Sequence, residues 1–222
     1  MPGKGFSIDT SAYVIKVYTD FDLFMLGKVD FAALIDLMYR SIEHYRMSAL
    51  YTAFLSLDGF LPSDMKDDIA ISASTKGDVI EMIEAVRATT GKDVMLVGTR
   101  VAMQKLQDTV PYALFSNEMK NERHQNGMLG LWEGYQCVAL ERVNKEGTRD
   151  SIFTDDDNKK IFIIPIDTDF KPIKRVNEGD VEYFERGMSG DMQDRTMEAE
   201  IWYFEGIGIV VDELFGVITD IS

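Results

Sequence analysis

Few residues in this chain could start covalent chemistry: one cysteine, Cys137, and two histidines, His44 and His124. A thiol beside an imidazole base is the minimum for nucleophilic catalysis. Cys137, however, lies within Tyr135-Gln-Cys-Val-Ala-Leu140, where a small, soft apolar side chain suits a strand interior. One cysteine and two histidines cannot build a four-ligand zinc site without carboxylates. Thr154-Asp-Asp-Asp-Asn158 offers oxygen ligands, but it lacks the glycine at the sixth position and the distal glutamate of a calcium loop. It reads as a solvated turn. Gly206-Ile-Gly208 has no third glycine opening a helix, and no Gly-Lys-Ser/Thr phosphate loop is present. The thirteen methionines are scattered over apolar faces, as core filling. Nucleophile, base and oxyanion donors do not come together anywhere in the sequence, so the reading is non-enzymatic, with no cofactor and no metal.

Composition narrows the class further. With 45% hydrophobic residues in 222 positions, the chain can bury a proper core as one large domain or two smaller ones. Thirty-eight acidic against twenty-three basic residues give a net charge of -15, the opposite of the basic stripe needed to displace counterions from nucleic acid. Direct, tight DNA binding is not expected. A single cysteine fits a reducing compartment. Apolar runs fall far short of the roughly 18 residues of a membrane span, and no secretory leader is evident at the N-terminus.

Hydropathy patterning sets out the elements. Ser7 to Thr19 is rich in β-branched and aromatic residues, enough for one or two strands. Asp30 is a good N-cap, and Phe31, Leu34, Ile35, Met38, Ile42, Tyr45, Ala49 and Ala53 recur at helical spacing without proline or glycine. The spacing predicts a helix over Val29 to Leu55, roughly 37 Å long at about 1.5 Å per residue. Ser74 or Thr75 caps a second helix that stops at Gly91. Asp93-Val-Met-Leu-Val97 reads as a buried strand, and Gly98-Thr99 opens a helix over Val101 to Leu106. Gly127, Gly130 and Gly134 precede the segment Tyr135 to Leu140.

The last third is the most distinctive. Lys160-Ile-Phe-Ile-Ile-Pro165 is followed by Glu182-Tyr-Phe-Glu-Arg-Gly187 and then by Arg195 to Val211. Within it Met197, Ala199, Ile201 and Tyr203 alternate with Glu198, Glu200 and Trp202, a half-buried strand. Gly206 and Gly208 predict an interruption, with Ile209-Val-Val211 as a second short strand at an angle, and Leu214 to Ile218 is a third apolar piece. Gly187-Met-Ser-Gly-Asp-Met-Gln-Asp-Arg195 has no apolar periodicity and reads as an exposed loop.

This order of elements resembles the major capsid proteins of tailed bacteriophages with the Hong Kong 97-like fold. Glu200-Ile-Trp-Tyr-Phe-Glu-Gly206 reads like the family's long acidic strand running into a glycine turn, and Val29 to Leu55 looks like its spine helix. The resemblance implies an α+β fold with a peripheral domain, residues 1–62 plus 160–222, and an axial domain, residues 63–159. It also implies a shell subunit that self-assembles into capsomers in the host cytoplasm, with scaffolding and portal proteins as partners, DNA enclosed only indirectly and no membrane. Family members carry an N-terminal arm and a long hairpin loop ahead of the spine helix, whereas 28 residues precede Val29; the resemblance leaves open a shortened chain or missing parts on another polypeptide. It points to Asp191, Asp194 and Arg195 as inter-subunit contacts around the local three-fold axes. An encapsulin-like nanocompartment shares the fold and is the nearest alternative. A small metal-dependent α/β enzyme is the alternative of another class.

Overall fold

The computed structural model describes residues 6–61, 70–73, 75–111, 115–145, 147–166, 171–186, 196–211 and 214–221. In chain order its main elements are β1 (Ser11–Asp20), α1 (Phe21–Met25), α2 (Phe31–Leu55), β2 (Ala70–Ala73), α3 (Lys76–Thr90), β3 (Val94–Thr99), α4 (Arg100–Asp108), α5 (Asn117–Asn126), β4 (Leu131–Trp132), β5 (Tyr135–Leu140), β6 (Ile161–Pro165), β7 (Ile173–Arg186), β8 (Thr196–Ile209) and β9 (Gly216–Ile221). Contacts divide the chain into two compact units: Met1–Leu50 with Ile173–Ile209, and Tyr51–Pro172 with Val210–Ser222.

The first unit is a three-stranded antiparallel sheet in the order β1-β8-β7, with α2 on one face. Its core joins Phe31, Met38 and Ile42 of the helix to Ala199, Ile201 and Tyr203 of β8. The helix begins where expected: the Asp30 carboxylate accepts from the amides of Ala32 at 3.0 Å and Ala33 at 3.4 Å, satisfying donors that have no partner in the first turn. The N-terminal strand region is one strand, and a short helix not anticipated above, α1, follows it, capped by Asp20 through the Asp22 amide at 2.9 Å.

β8 corrects one expectation. It runs unbroken for 14 residues through Gly206 and Gly208, and Val210 and Val211 lie outside it. The glycines serve a close approach instead. Residues 8 and 9 pass over them so tightly that a Cβ on Gly206 would sit 2.5 Å from the Asp9 carbonyl oxygen, and one on Gly208 would sit 2.6 Å from Ile8 Cγ1.

The second unit is a six-stranded mixed sheet, β2-β9-β6-β3-β5-β4. β3 lies between β6, antiparallel, and β5, parallel. Every residue of β6 is buried, and such a strand needs neighbours on both edges and cover on both faces. β6 and β9 find them here, so 160–172 and 210–222 group with Tyr51–Pro172 and not with Met1–Leu50. α3 has the full capping box, with Thr75 and Asp78 exchanging side-chain to backbone bonds, and ends at Gly91 with φ +69°. Thr99 caps α4, and Glu133 and Gly134, at φ +49° and +89°, make the two-residue turn between β4 and β5.

Because the atom facing Gly206 is backbone, a methyl group there cannot be accommodated by a rotamer change. Gly206→Ala should lower the stability of the first unit by about 1–3 kcal/mol, read as a lower denaturant midpoint. An unchanged midpoint would show that residues 8 and 9 are free to lift away.

Candidate functional site

Of the residues singled out for catalysis, Cys137 is not poised as a nucleophile. Cys137 is buried on β5, its sulfur 3.8 Å from the Tyr135 carbonyl oxygen. Burial pushes its thiol up to about 12, so the thiolate that does nucleophilic work is scarce at neutral pH. His124 is exposed on α5 in the same unit, while His44 belongs to the other. In Thr154 to Asn158 the Asp157 carboxylate accepts from the Thr154 amide at 2.9 Å and hydroxyl at 2.7 Å, and Thr154 Oγ1 accepts from the Asp157 amide. Those oxygens cap a turn. Among the described residues no cluster of three or more His, Cys, Asp or Glu could hold a metal, and no described helix is long and apolar enough to cross a membrane.

What the first unit offers is a sheet with two different faces. On the covered face, Glu205 is only 4% exposed and accepts from Arg46 Nε at 2.7 Å. The guanidinium also lies 5.1 Å over the Tyr203 ring and 3.6 Å from Glu43. Tyr13 stacks on Tyr203, with ring centres 5.3 Å apart, and accepts a 3.0 Å hydrogen bond from the Tyr45 hydroxyl. That bond, with burial, pushes Tyr45 up to about 12; burial raises Tyr203 as well. An aromatic and ionic clasp thus ties α2 to β1 and β8. The clasp escaped the sequence reading, although Glu205 shares the parity of Met197, Ala199, Ile201 and Tyr203. Its partner on the helix, 159 residues away, left no local signal.

The opposite face follows from the pairing register. Moving along β8, Glu198, Glu200, Trp202 and Phe204 stand beside Tyr18, Lys16, Val14 and Ala12 of β1. On the other side Phe184, Glu182 and Glu178 of β7 stand beside Glu200, Trp202 and Phe204. Phe184 is 53% and Trp202 37% exposed. Lys16 bridges Glu198 at 2.7 Å and Glu200 at 3.1 Å, and the indole of Trp202 donates to Glu200 at 3.2 Å. An open groove of about 520 Å³ is lined by Glu182, Phe184, Glu185, Glu198, Glu200 and Trp202. Asp191, Asp194 and Arg195 lie outside the described residues, in the segment that connects β7 to β8.

The described residues of the first unit thus present a sheet with one covered face and one open face. The family model described as "SPbeta prophage-derived putative capsid protein YonB" matches residues 2–219. The chain belongs to the YonB family of prophage capsid proteins. Solved capsids agree in fold. The mature capsid of bacteriophage PhiM1 is 11% identical, with 98% of this chain and 76% of that one covered at a TM-score of 0.56. The structure from Mycobacterium phage Che8 is 11% identical over 93% and 70% at 0.55. The holo-SrpI encapsulin complex from Synechococcus elongatus is 12% identical over 96% and 75% at 0.50. No curated protein sequence matches the chain. The α+β architecture is therefore the Hong Kong 97-like capsid fold, and this capsid protein carries it with the long helix and three-stranded sheet described above.

The clasp inside that capsid fold can be broken from either side. Arg46→Ala should destabilise the protein by about 3 kcal/mol, near the low end for stranding a buried charge because Arg46 is itself 17% exposed. The double variant Arg46→Met with Glu205→Leu should recover most of the loss. A double variant no better than the single one, in thermal unfolding, would show that the pair itself and not the stranded carboxylate carries the effect.

Proposed function

We propose that this chain is the repeating subunit of an icosahedral prophage shell, closing with its own copies into capsomers and enclosing the genome. The observation that carries the reading is the match of the capsid family over residues 2–219. The mechanism is association. Distinct heterologous surfaces on one subunit let copies close into rings and rings into a shell, and each subunit held by several neighbours gains by multivalency what single contacts lack. In this reading the unit Tyr51–Pro172 with Val210–Ser222 acts as the axial domain and the unit Met1–Leu50 with Ile173–Ile209 as the peripheral domain. No step requires a nucleophile or a metal. Scaffolding and portal proteins are the partners expected during assembly in the bacterial cytoplasm, and the acidic chain meets packaged DNA only indirectly. The encapsulin likeness supports an alternative, cargo-filled compartment of the same fold. Neighbouring terminase and portal genes would favour the virion, and a neighbouring cargo-enzyme gene the compartment.

At -15 per subunit, copies repel one another, and raising ionic strength from about 0.01 M to about 0.15 M shortens the screening length from about 30 Å to about 8 Å. Added salt should therefore promote capsomers or closed particles, counted by negative-stain electron microscopy and light scattering. Monomer at every salt concentration and pH would remove the shell reading; particles that dissolve as salt rises would mean attractive ion pairs govern the contacts.

The segment 187–195 is assigned by the same reading to contacts between copies, with Asp191 and Asp194 of one subunit facing Arg195 of the next. Exposed pairs are worth only about 0.2–1 kcal/mol each, but they would recur at every three-fold axis. Arg195→Glu should leave the melting temperature unchanged while reducing the yield of closed shells. A variant that assembles like the parent excludes this contact.

A further inference from the structure

The uncovered face of the β1-β8-β7 sheet has a chemistry of its own, apart from the closure of the shell. Its floor is apolar: Val14, Phe184, Trp202 and Phe204 are each more than a third exposed. Its rim is acidic, with Glu178, Glu182, Glu198 and Glu200 placed on the same side by the register. Lys16 is occupied by Glu198 and Glu200. Glu182 has no cation within ion-pairing distance among the described side chains, and with Trp202 it borders a groove of about 520 Å³.

Large exposed aromatic side chains side by side on a regular strand mark a contact surface rather than ordinary surface. The carboxylates say which kind of contact. Another copy of this chain brings its own -15, and nucleic acid brings phosphates, so both meet like charge here. A polypeptide that alternates apolar side chains with lysine or arginine answers both features: its apolar side packs on Val14, Phe184 and Phe204, and its cations reach Glu182 and the open face of the Trp202 ring.

We propose that this sheet face is a docking platform for a basic, amphipathic segment of another protein. The platform goes beyond the shell reading, which is tested by particle formation and not by peptide binding. The probe is a synthetic peptide of alternating leucine and lysine, titrated into the unassembled full chain isolated by size exclusion. Binding is read by Trp202 emission, since the second tryptophan, Trp132, is buried, and by calorimetry. We expect saturable binding that Glu182→Lys weakens at least about tenfold, more than the roughly fivefold upper limit for loss of one exposed ion pair, and that Phe184→Ser also weakens. The same charge change placed elsewhere, Glu81→Lys on the exposed side of α3, should leave it intact. Equal weakening by Glu182→Lys and Glu81→Lys, or equal affinity for polylysine without leucine, would reduce the effect to diffuse charge and overturn the proposal. Equal binding of a leucine–glutamate peptide, or no saturation at all, would overturn it as well. Circular dichroism of each variant separates lost binding from lost folding.

Discussion

Everything in the first unit depends on which side of β8 lies beneath α2. Ala199, Ile201 and Tyr203 pack against Phe31, Met38 and Ile42, and a strand has only two faces, so Glu198, Glu200, Trp202 and Phe204 must go to the other. A slip of one residue would exchange the two sets. Burying a side chain such as Ile201 stabilises by about 1.5–3 kcal/mol, whereas the Lys16 bridges to Glu198 and Glu200 lie in solvent, where screening leaves an ion pair little net worth. Packing therefore decides the register, and the charge pattern of the open face is its consequence.

The same register places Glu205 indoors. A carboxylate in that position would be costly alone, and the Arg46 guanidinium compensates it, itself seated over the Tyr203 ring on which Tyr13 stacks. Such a pair adds little net stability over apolar residues of similar size, but it is satisfied only when helix and strand are in one alignment.

The sequence made the locally encoded elements legible. α2 showed itself through Asp30 and an uninterrupted apolar recurrence, α3 through Thr75 and Gly91, and β3 through its apolar run. α5 did not, because Asn117–Asn126 is polar apart from Met119 and has no stripe to read. It is held by its Ser116 cap, by Gly127 at φ +76° and by the Arg123–Asp108 bridge at 2.5 Å. Non-local causes were equally hidden. Glycines at 206 and 208 look like a bend until residues 8 and 9 are seen crossing them, and β6 and β9 change neighbours because only the six-stranded sheet can cover them on both sides. Of the surface, the alternation in β8 disclosed the two faces, while the partners from β1 and β7 that complete the open one are about 180 and 20 residues away in sequence.

A sheet with one naked face is ordinarily an aggregation hazard, and long strands at both edges add to it. Here the hazard is contained by the residues that interrupt the aromatic ones. Glu198 and Glu200 precede Trp202 and Phe204 on the centre strand, and Glu178 and Glu182 stand across from those two rings on β7. Each exposed ring described on this face thus has a carboxylate opposite it, Tyr18 at the end of β1 included, which faces Glu198. Each carboxylate must lose water when anything covers its neighbour, so a purely apolar surface gains little by landing here. A surface that brings cations repays that loss with charge-assisted bonds. The alternation that builds the core on one side therefore builds a selective surface on the other, and the two properties cannot be varied independently without moving the strand.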